Sequence, residues 1–347
     1  MNDPETEVIR EVTAEADATP SNDFVIMLGE RPQKSAPTLT LAKALAALGV
    51  TTRFANAQLM TRREWLDILS RARGIVLVTY GAVDVYLLSQ LAIAVALDVP
   101  VVRWWVGTDV LTAMTQPELR ADVQRVDSIV SENIAVAPHL VDELASIGIG
   151  ARFVPSVLDP GIVPRSMISW GNELRPVLIY LPGSRKEFYR IDVLEPVIAS
   201  SPDIRFIIVA DDTHALAKYP NVESLGWVSD MRELYTRAGC VLRITEHDGL
   251  PRMLMEALLS GMYAIYSWPL DGSWLARTAD EALSGLARYR EMNEPNVHGR
   301  EAMLEMMRSR PDQIMSSVIS DASVPFPRRA RALGLAVRTK VFPAQFR

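Results

Sequence analysis

ITEHDGLPRMLMEALLSG, residues 244–261, followed by the apolar run 262–268, decides the reading of this chain. The preceding residues 240–244 are short and mostly apolar, four polar residues follow, and Gly249, Leu250 and Pro251 lead into strong helix formers ending at Ser260 and Gly261. That order predicts strand, loop, helix, strand. Proline suits a first helical turn and glycine the position just past a helix end. The helix N-terminus therefore points out of the carboxyl edge of a sheet, its N–H groups beside Asp248 and Gly249, where an anion can be held. Asp248 and Glu256 lie eight positions apart, so both can face one site at different depths. A carboxylate at the second position can accept from a vicinal diol such as a ribose. The plainer alternative has Asp248 capping the helix and Glu256 pairing with Arg252.

Composition sets the class. The 347 residues are 49% hydrophobic, enough for two domains with substantial cores. A net charge of −6 argues against nucleic acid as a partner. The single cysteine, Cys240, excludes an intramolecular disulfide framework, suits a reducing cytoplasm and reads as a small core residue. Residues 1–22 carry six acids against Arg10 and read as a flexible acidic tail, the reverse of a signal peptide. The apolar segment 83–97 contains Asp84, Ser89 and Gln90 and falls short of the roughly 20 residues a spanning helix needs. A cytoplasmic protein is expected, or one at the inner face of the cell membrane.

Taken in order, residues 24–28, 51–55, 74–79 and 99–104 read as strands, alternating with helices at 38–48, 61–71 and 83–97. Another strand is expected at 128–131, a helix at 138–147 and a short strand at 152–155. The loops after these strands carry Gln33, Lys34 and Ser35, then residues 80–84, then RWWVGTDV at 103–110. In the last, Gly107, Thr108 and Asp109 read equally as a helix start capped by Thr108 or Asp109. Pro155, Pro160, Gly161, Pro164, Gly171 and Pro176 punctuate a stretch without periodicity, which predicts a linker at 161–175.

The second half repeats the alternation, with strands at 176–181, 204–209, 222–228 and 240–244 and helices at 193–200 and 231–238. Helix is expected over 271–289 and 302–307. The loop after the first of these strands runs Pro182, Gly183, Ser184, Arg185, Lys186 and on to Arg190. Arginines on a glycine-bearing loop at a strand's carboxyl end can fork onto phosphate oxygens. The alternative is a solvated loop in which Arg185 or Lys186 pairs with Glu187.

D-G-L-P-R-M-L-M-E-A resembles the acidic-x7-Glu motif of retaining nucleotide-sugar glycosyltransferases with the GT-B fold. The resemblance implies an α/β chain of two Rossmann-like doubly wound parallel-sheet domains facing a central cleft. It implies an N-terminal acceptor-side domain at 23–160, joined by residues 320–347, and a nucleotide-sugar-binding domain at 176–319. It places Glu256 on the donor ribose, Asp248 near the donor sugar, and Gly249 with Leu250 at the diphosphate. The family's basic R-x4-K pair falls on Arg185 and Arg190, with Lys186 and Gly183 beside them. The segment 103–110 is similar to the family's W-H-G-T-D loop, which puts Trp105, Gly107 and Asp109 on the acceptor side, without the histidine often seen there. Asp248 also stands where Glu is usual, and Tyr263 where proline often follows the helix.

The activity implied is metal-independent transfer of a sugar from a nucleotide-diphosphate donor to a hydroxyl acceptor (a glycan, a lipid-linked sugar or a small molecule), with no other cofactor, in cell-envelope polysaccharide or glycoconjugate synthesis. A nucleotide-sugar epimerase or hydrolase, and a non-catalytic sugar-nucleotide-binding protein, are the alternatives. The four histidines have no metal-ligand spacing, no G-x-G-x-x-G follows residues 24–28, and no G-x-S-x-G occurs. Asp211 and Asp212 after a strand suggest the diphosphate metal site of the other glycosyltransferase fold, but the arginines already supply positive charge. The last 25 residues hold six cations and no acid, which suits either docking back onto the first domain or contact with anionic lipid.

Overall fold

The computed structural model describes residues 24–29, 36–56, 59–78, 85–158, 166–171 and 173–338. The loop residues 33–35 and 80–84 and the tail 1–22 lie outside them. The chain divides into two compact units, Met1–Asp159 with Arg310–Arg347, and Pro160–Ser309.

The first unit runs β1 (Phe24–Gly29), α1 (Ala36–Ala47), β2 (Thr52–Asn56), α2 (Arg62–Leu69), β3 (Ala72–Leu77), α3 (Val85–Ala96), β4 (Val101–Trp105), α4 (Thr108–Thr115), α5 (Arg120–Asp127), β5 (Glu132–Ala135), α6 (Pro138–Ser146) and β6 (Arg152–Phe153). Its six strands are parallel in the order β2-β1-β3-β4-β5-β6. All of β1, a continuous apolar run, is buried, as a parallel sheet covered on both faces requires, and all of β4 is buried as well although Arg103 interrupts its apolar residues. α2 starts with a reciprocal capping box, Thr61 with Glu64, which fixes its first turn.

One expected strand is displaced. Residues 128–131 follow α5 as a turn, with Ile129 and Val130 filling the core, and the strand is β5 four residues later. A short apolar run has no period of its own, so burial as a turn and burial as a strand look alike. Two helices, α4 and α5, follow β4; only the start of the first was among the expected readings.

The second unit contains β7 (Val177–Tyr180), α7 (Ile191–Ala199), β8 (Phe206–Val209), β9 (Val222–Gly226), α8 (Arg232–Arg237), β10 (Cys240–Arg243), α9 (Arg252–Leu259), β11 (Tyr263–Tyr266), β12 (Trp274–Leu275), α10 (Ala279–Arg290) and α11 (Val297–Arg308). The parallel sheet has the order β12-β11-β10-β7-β8-β9. The chain leaves β7 toward β8 and β9, then returns to place β10 on its other side. The switch point of this doubly wound sheet is thus the β7–β10 pair. α9 has eight residues, too few to be stable alone. Six of them are buried, and apolar burial at about 1.5–3 kcal/mol per large side chain holds it in place.

Helix was expected over 271–289, but it begins at Ala279. Gly272 has φ of +80°, and a Thr278–Glu281 capping box starts α10. The stretch read as linker also packs: Trp170 stands edge-on to Tyr263 and Tyr289, with centroids 5.7 and 6.3 Å away, and Ile168 N–H donates to Ser260 O at 2.9 Å.

The return to the first unit falls at 309/310, a helix before the expected 319/320. α12 (Pro311–Asp321) and α13 (Phe326–Arg338) both belong to it. Met315 and Ile319 of α12 and Ala332 of α13 are buried, and Ala332 joins the core cluster of Trp65, Leu87 and Leu91. Arg328, Arg329 and Arg331 donate to Ser131 O, Asp98 and Ser128 O, each at 3.2 Å. Among the described residues no helix is long and apolar enough to cross a membrane. Ala332→Asp, which buries an unanswered carboxylate, is expected to lower unfolding free energy by several kcal/mol in urea titration, whereas Leu333→Asp on the exposed face changes it by about 0.5 kcal/mol or less.

Candidate functional site

Two loops leave the carboxyl ends of the strands at the second unit's switch point. After β7, one turn of 3-10 helix spans Gly183–Arg185, and the chain reaches α7 through Arg190, whose φ is +51°. Gly183 is needed for close approach. A Cβ there would lie 2.3 Å from Asp212 Oδ1 and 2.8 Å from Thr213 Cγ2 of the loop after β8. After β10, residues 244–251 lead into α9. The two loops touch directly, since Glu246 N–H donates to Phe188 O at 2.9 Å.

Arg185 is exposed, with its guanidinium carbon 4.3 Å from the Phe188 ring centroid and 5.9 Å from that of Tyr189. Neither it nor the half-buried Lys186 has a carboxylate partner among the described residues, so the expected alternative of pairing with Glu187 is not formed. Arg190 is different. Its guanidinium grips Asp192 through two bonds, Nε to Oδ1 and Nη2 to Oδ2, both 2.9 Å. That bond raises the arginine's pKa and holds the aspartate below the usual carboxylate range. The expected second phosphate-binding arginine is thus already occupied by its near neighbour in sequence.

Asp248 does not cap α9; Pro251 stands at the cap position. Instead its Oδ2 lies 2.6 Å from Nε of Arg243, while Oδ1 accepts from Gly249 N–H at 3.0 Å. The Gly249 carbonyl accepts from the Tyr266 hydroxyl at 2.9 Å. Burial works against the Arg243 charge, but Asp248 more than compensates and leaves the guanidinium firmly protonated. Glu256, 7% exposed, accepts from the Tyr235 hydroxyl of α8 at 2.5 Å. Burial, then the neighbouring Glu256 charge, pushes the Tyr235 phenol well up, so it stays a donor. Leu250 is buried beside this loop.

Arg243, Tyr235 and Tyr266 were not singled out from the sequence. The one available signal was an arginine closing an otherwise apolar strand, Cys-Val-Leu-Arg. Asp211, considered as a metal ligand, is fully buried and accepts from Thr213 N–H, Thr213 Oγ1 and Ala215 N–H at 3.0, 2.7 and 2.8 Å. It closes a turn. No group of three or more His, Cys, Asp or Glu able to hold a metal occurs among the described residues.

In the first unit, the residues expected on the acceptor side are inside the fold. Trp105 is fully buried and donates to Asn133 Oδ1 at 3.0 Å, with the Arg103 guanidinium 3.5 Å over its ring. Asp109, 1% exposed, accepts from the N–H groups of Gly107, Val110 and Val106 at 2.8, 3.0 and 3.1 Å. Gly107, itself buried, has φ of +136°, which a side chain would strain, and this conformation lets the chain turn back over the carboxylate. Trp105, Gly107 and Asp109 therefore build the loop from within: a helix starts there as expected, but Gly107 rather than Thr108 or Asp109 stands at the cap position, and Asp109 closes the turn from the second helical residue.

No family model matches the sequence, and no curated protein matches it. Among solved structures the chain is similar to Anabaena Alr3699/HepE in complex with UDP, with a TM-score of 0.65 at 14% identity over 86% of this chain and 100% of that one. It is similar also to sucrose-phosphate synthase from Thermosynechococcus elongatus, with a TM-score of 0.58 at 13% identity over 85% and 98% of the two chains. The lipopolysaccharide outer core galactosyltransferase WaaB in its apo form gives 0.57 at 11% identity over 86% and 99%. At such identities the likeness is one of fold: the chain has the GT-B fold, with a parallel α/β sheet in each of its two units.

The Asp109 carboxyl is pushed up to about 6, first by burial, against the opposing pull of Arg103 and the three amides. A folded-state value above the unfolded one, about 3.9, means that the native state holds a proton the unfolded chain releases. The stability this contributes is present below about pH 4 and lost as pH rises through about 6. Carboxyl carbon shifts of labelled Asp109 are expected to titrate with a midpoint near 6.

Proposed function

We propose that this protein is a glycosyltransferase that moves a sugar from a nucleotide-diphosphate donor to a hydroxyl acceptor, with retention of anomeric configuration and without a metal, in cell-envelope polysaccharide or glycoconjugate synthesis. The observation that carries the reading is the meeting of two loops at the β7–β10 switch point, one bearing unanswered cations, Arg185 and Lys186, the other Asp248 and the start of α9. A doubly wound sheet binds its ligands at such an edge. The HepE structure holds UDP, which makes uridine diphosphate the first donor nucleotide to test.

In the reaction, the bond between the anomeric carbon and the terminal phosphate oxygen breaks with its electron pair staying on phosphate, the acceptor hydroxyl oxygen bonds to the anomeric carbon, and the hydroxyl proton passes to the departing phosphate oxygen. Arg185 and Lys186 stabilise that charge, aided by the helix end near Gly249. Glu256, oriented by Tyr235, holds the donor ribose, and Asp248 orients the sugar. A non-catalytic sugar-nucleotide-binding protein is the second reading, favoured by the Arg243–Asp248 pair that occupies both Asp248 oxygens with protein partners. Donor binding without release of nucleoside diphosphate from any donor, in the presence of any acceptor, identifies that case.

With UDP-, GDP-, ADP- and dTDP-sugars as donors, a matching donor at 100 times its Kd is expected to stabilise the protein by about 2.7 kcal/mol in thermal unfolding. Arg185→Ala is expected to lower the rate of nucleoside diphosphate release by about 10²-fold or more. Arg190→Ala, which removes a half-buried and already paired group, costs less than about tenfold. Glu256→Gln raises the donor KM more than it lowers kcat.

A further inference from the structure

Arg243 closes β10, and its register partner on β11 is Tyr266. Paired residues of parallel strands project from the same face, so these two side chains stand side by side, on the face opposite Leu242 and Ile265, which join the core cluster. Both reach toward the same corner of the next loop. Arg243 Nε meets Asp248 Oδ2 at 2.6 Å, and the Tyr266 hydroxyl donates to Gly249 O at 2.9 Å. The guanidinium is itself steered by two rings, Tyr180 at the end of β7 and Tyr189 just before α7, with its central carbon 5.7 Å and 5.3 Å from their centroids.

We propose that Arg243 and Tyr266 act as a two-point clamp that sets the Asp248 carboxylate and the Gly249 peptide in the geometry the donor sugar meets. The clamp rests on the glycosyltransferase reading above. A peptide is planar, so pinning the Gly249 carbonyl also fixes the direction of the following N–H. Arg243 is 9% exposed, and a charge this deep in a strand is retained only where a partner answers it. Asp248 is that partner, and the constraint acts on it in return: with Oδ2 on Arg243 and Oδ1 on Gly249 N–H, the carboxylate is fixed in rotation. Arg243 and Tyr266 are positioning residues, acting through Asp248 and Gly249.

The test follows nucleoside diphosphate release from the best donor of the UDP-, GDP-, ADP- and dTDP-sugar panel, with melting temperatures for every variant. Misplacement of a reacting group by about 1 Å can cost 10²-fold, so Arg243→Met is expected to lower kcat by about that factor while donor KM stays within about threefold. Arg243→Lys recovers part of the loss, and Tyr266→Phe, which removes one hydroxyl and keeps the ring, costs about tenfold in kcat. The double variant Arg243→Met with Asp248→Asn is expected to match Asp248→Asn alone in kcat, because both act through one carboxylate. Losses that multiply in the double variant overturn the clamp, as does a folded Arg243→Met or Tyr266→Phe with wild-type kcat. A wild type that binds and turns over none of the donors overturns the glycosyltransferase reading and the clamp with it; an active wild type beside unaffected variants overturns the clamp alone.

Discussion

Parallel strands deliver all their carboxyl ends to one edge, and at the β7–β10 pair the chain departs in opposite directions on either side. No loop can cross above that point, so the two loops that follow these strands become neighbours whatever their side chains are. The Glu246 N–H to Phe188 O bond joins them through main-chain atoms alone. Every property of the site, from the exposure of Arg185 to the placing of Asp248 beside Arg243, inherits this constraint.

Within that edge the charges differ in how firmly they are committed. Exposed ion pairs contribute about 0.2–1 kcal/mol, so the grip of Arg190 on Asp192 is a weak preference. Breaking a buried pair costs about 3–5 kcal/mol, which puts Arg243 and Asp248 among the fixed parts of the fold. Arg185 and Lys186 carry no such obligation. The division leaves a rigid half, the loop leading to α9 with its clamp, and an adaptable half, the cations after β7. A site that stabilises charge needs the first for geometry and the second for attraction.

The first unit turns the same local chemistry inward. Asp109 sits four residues beyond the end of a buried strand, in the first turn of α4, as Asp248 sits five residues beyond one, yet Asp109 spends its oxygens on three amides of its own turn. An acid that closes a loop on itself and an acid held out by a neighbouring strand are different devices, although both have an arginine nearby. The arginines of α13 are likewise used internally, fastening the end of the chain to carbonyls at residues 128 and 131.

The alternation of apolar strands with helices was legible because burial on both faces of a parallel sheet leaves uninterrupted apolar runs, and those runs with the helix signals around residues 244–261 suffice for two doubly wound sheets. Sequence also yielded the two loops that meet at the switch point, since each follows a strand of the alternation. It could not tell which polar groups in those loops are already spoken for. Arg185 and Arg190 look equivalent as R-x4-R, and only the left-handed turn at Arg190 throws its guanidinium onto Asp192. Trp105 and Asp109 read as surface residues until the sheet closes over them. Arg243 reads as the end of a strand until Tyr266, 23 positions later in sequence, comes to lie beside it. Periodicity is a property of neighbours along the chain, whereas the partner that answers a charge is chosen by neighbours in space, and those exist only once the sheet has formed.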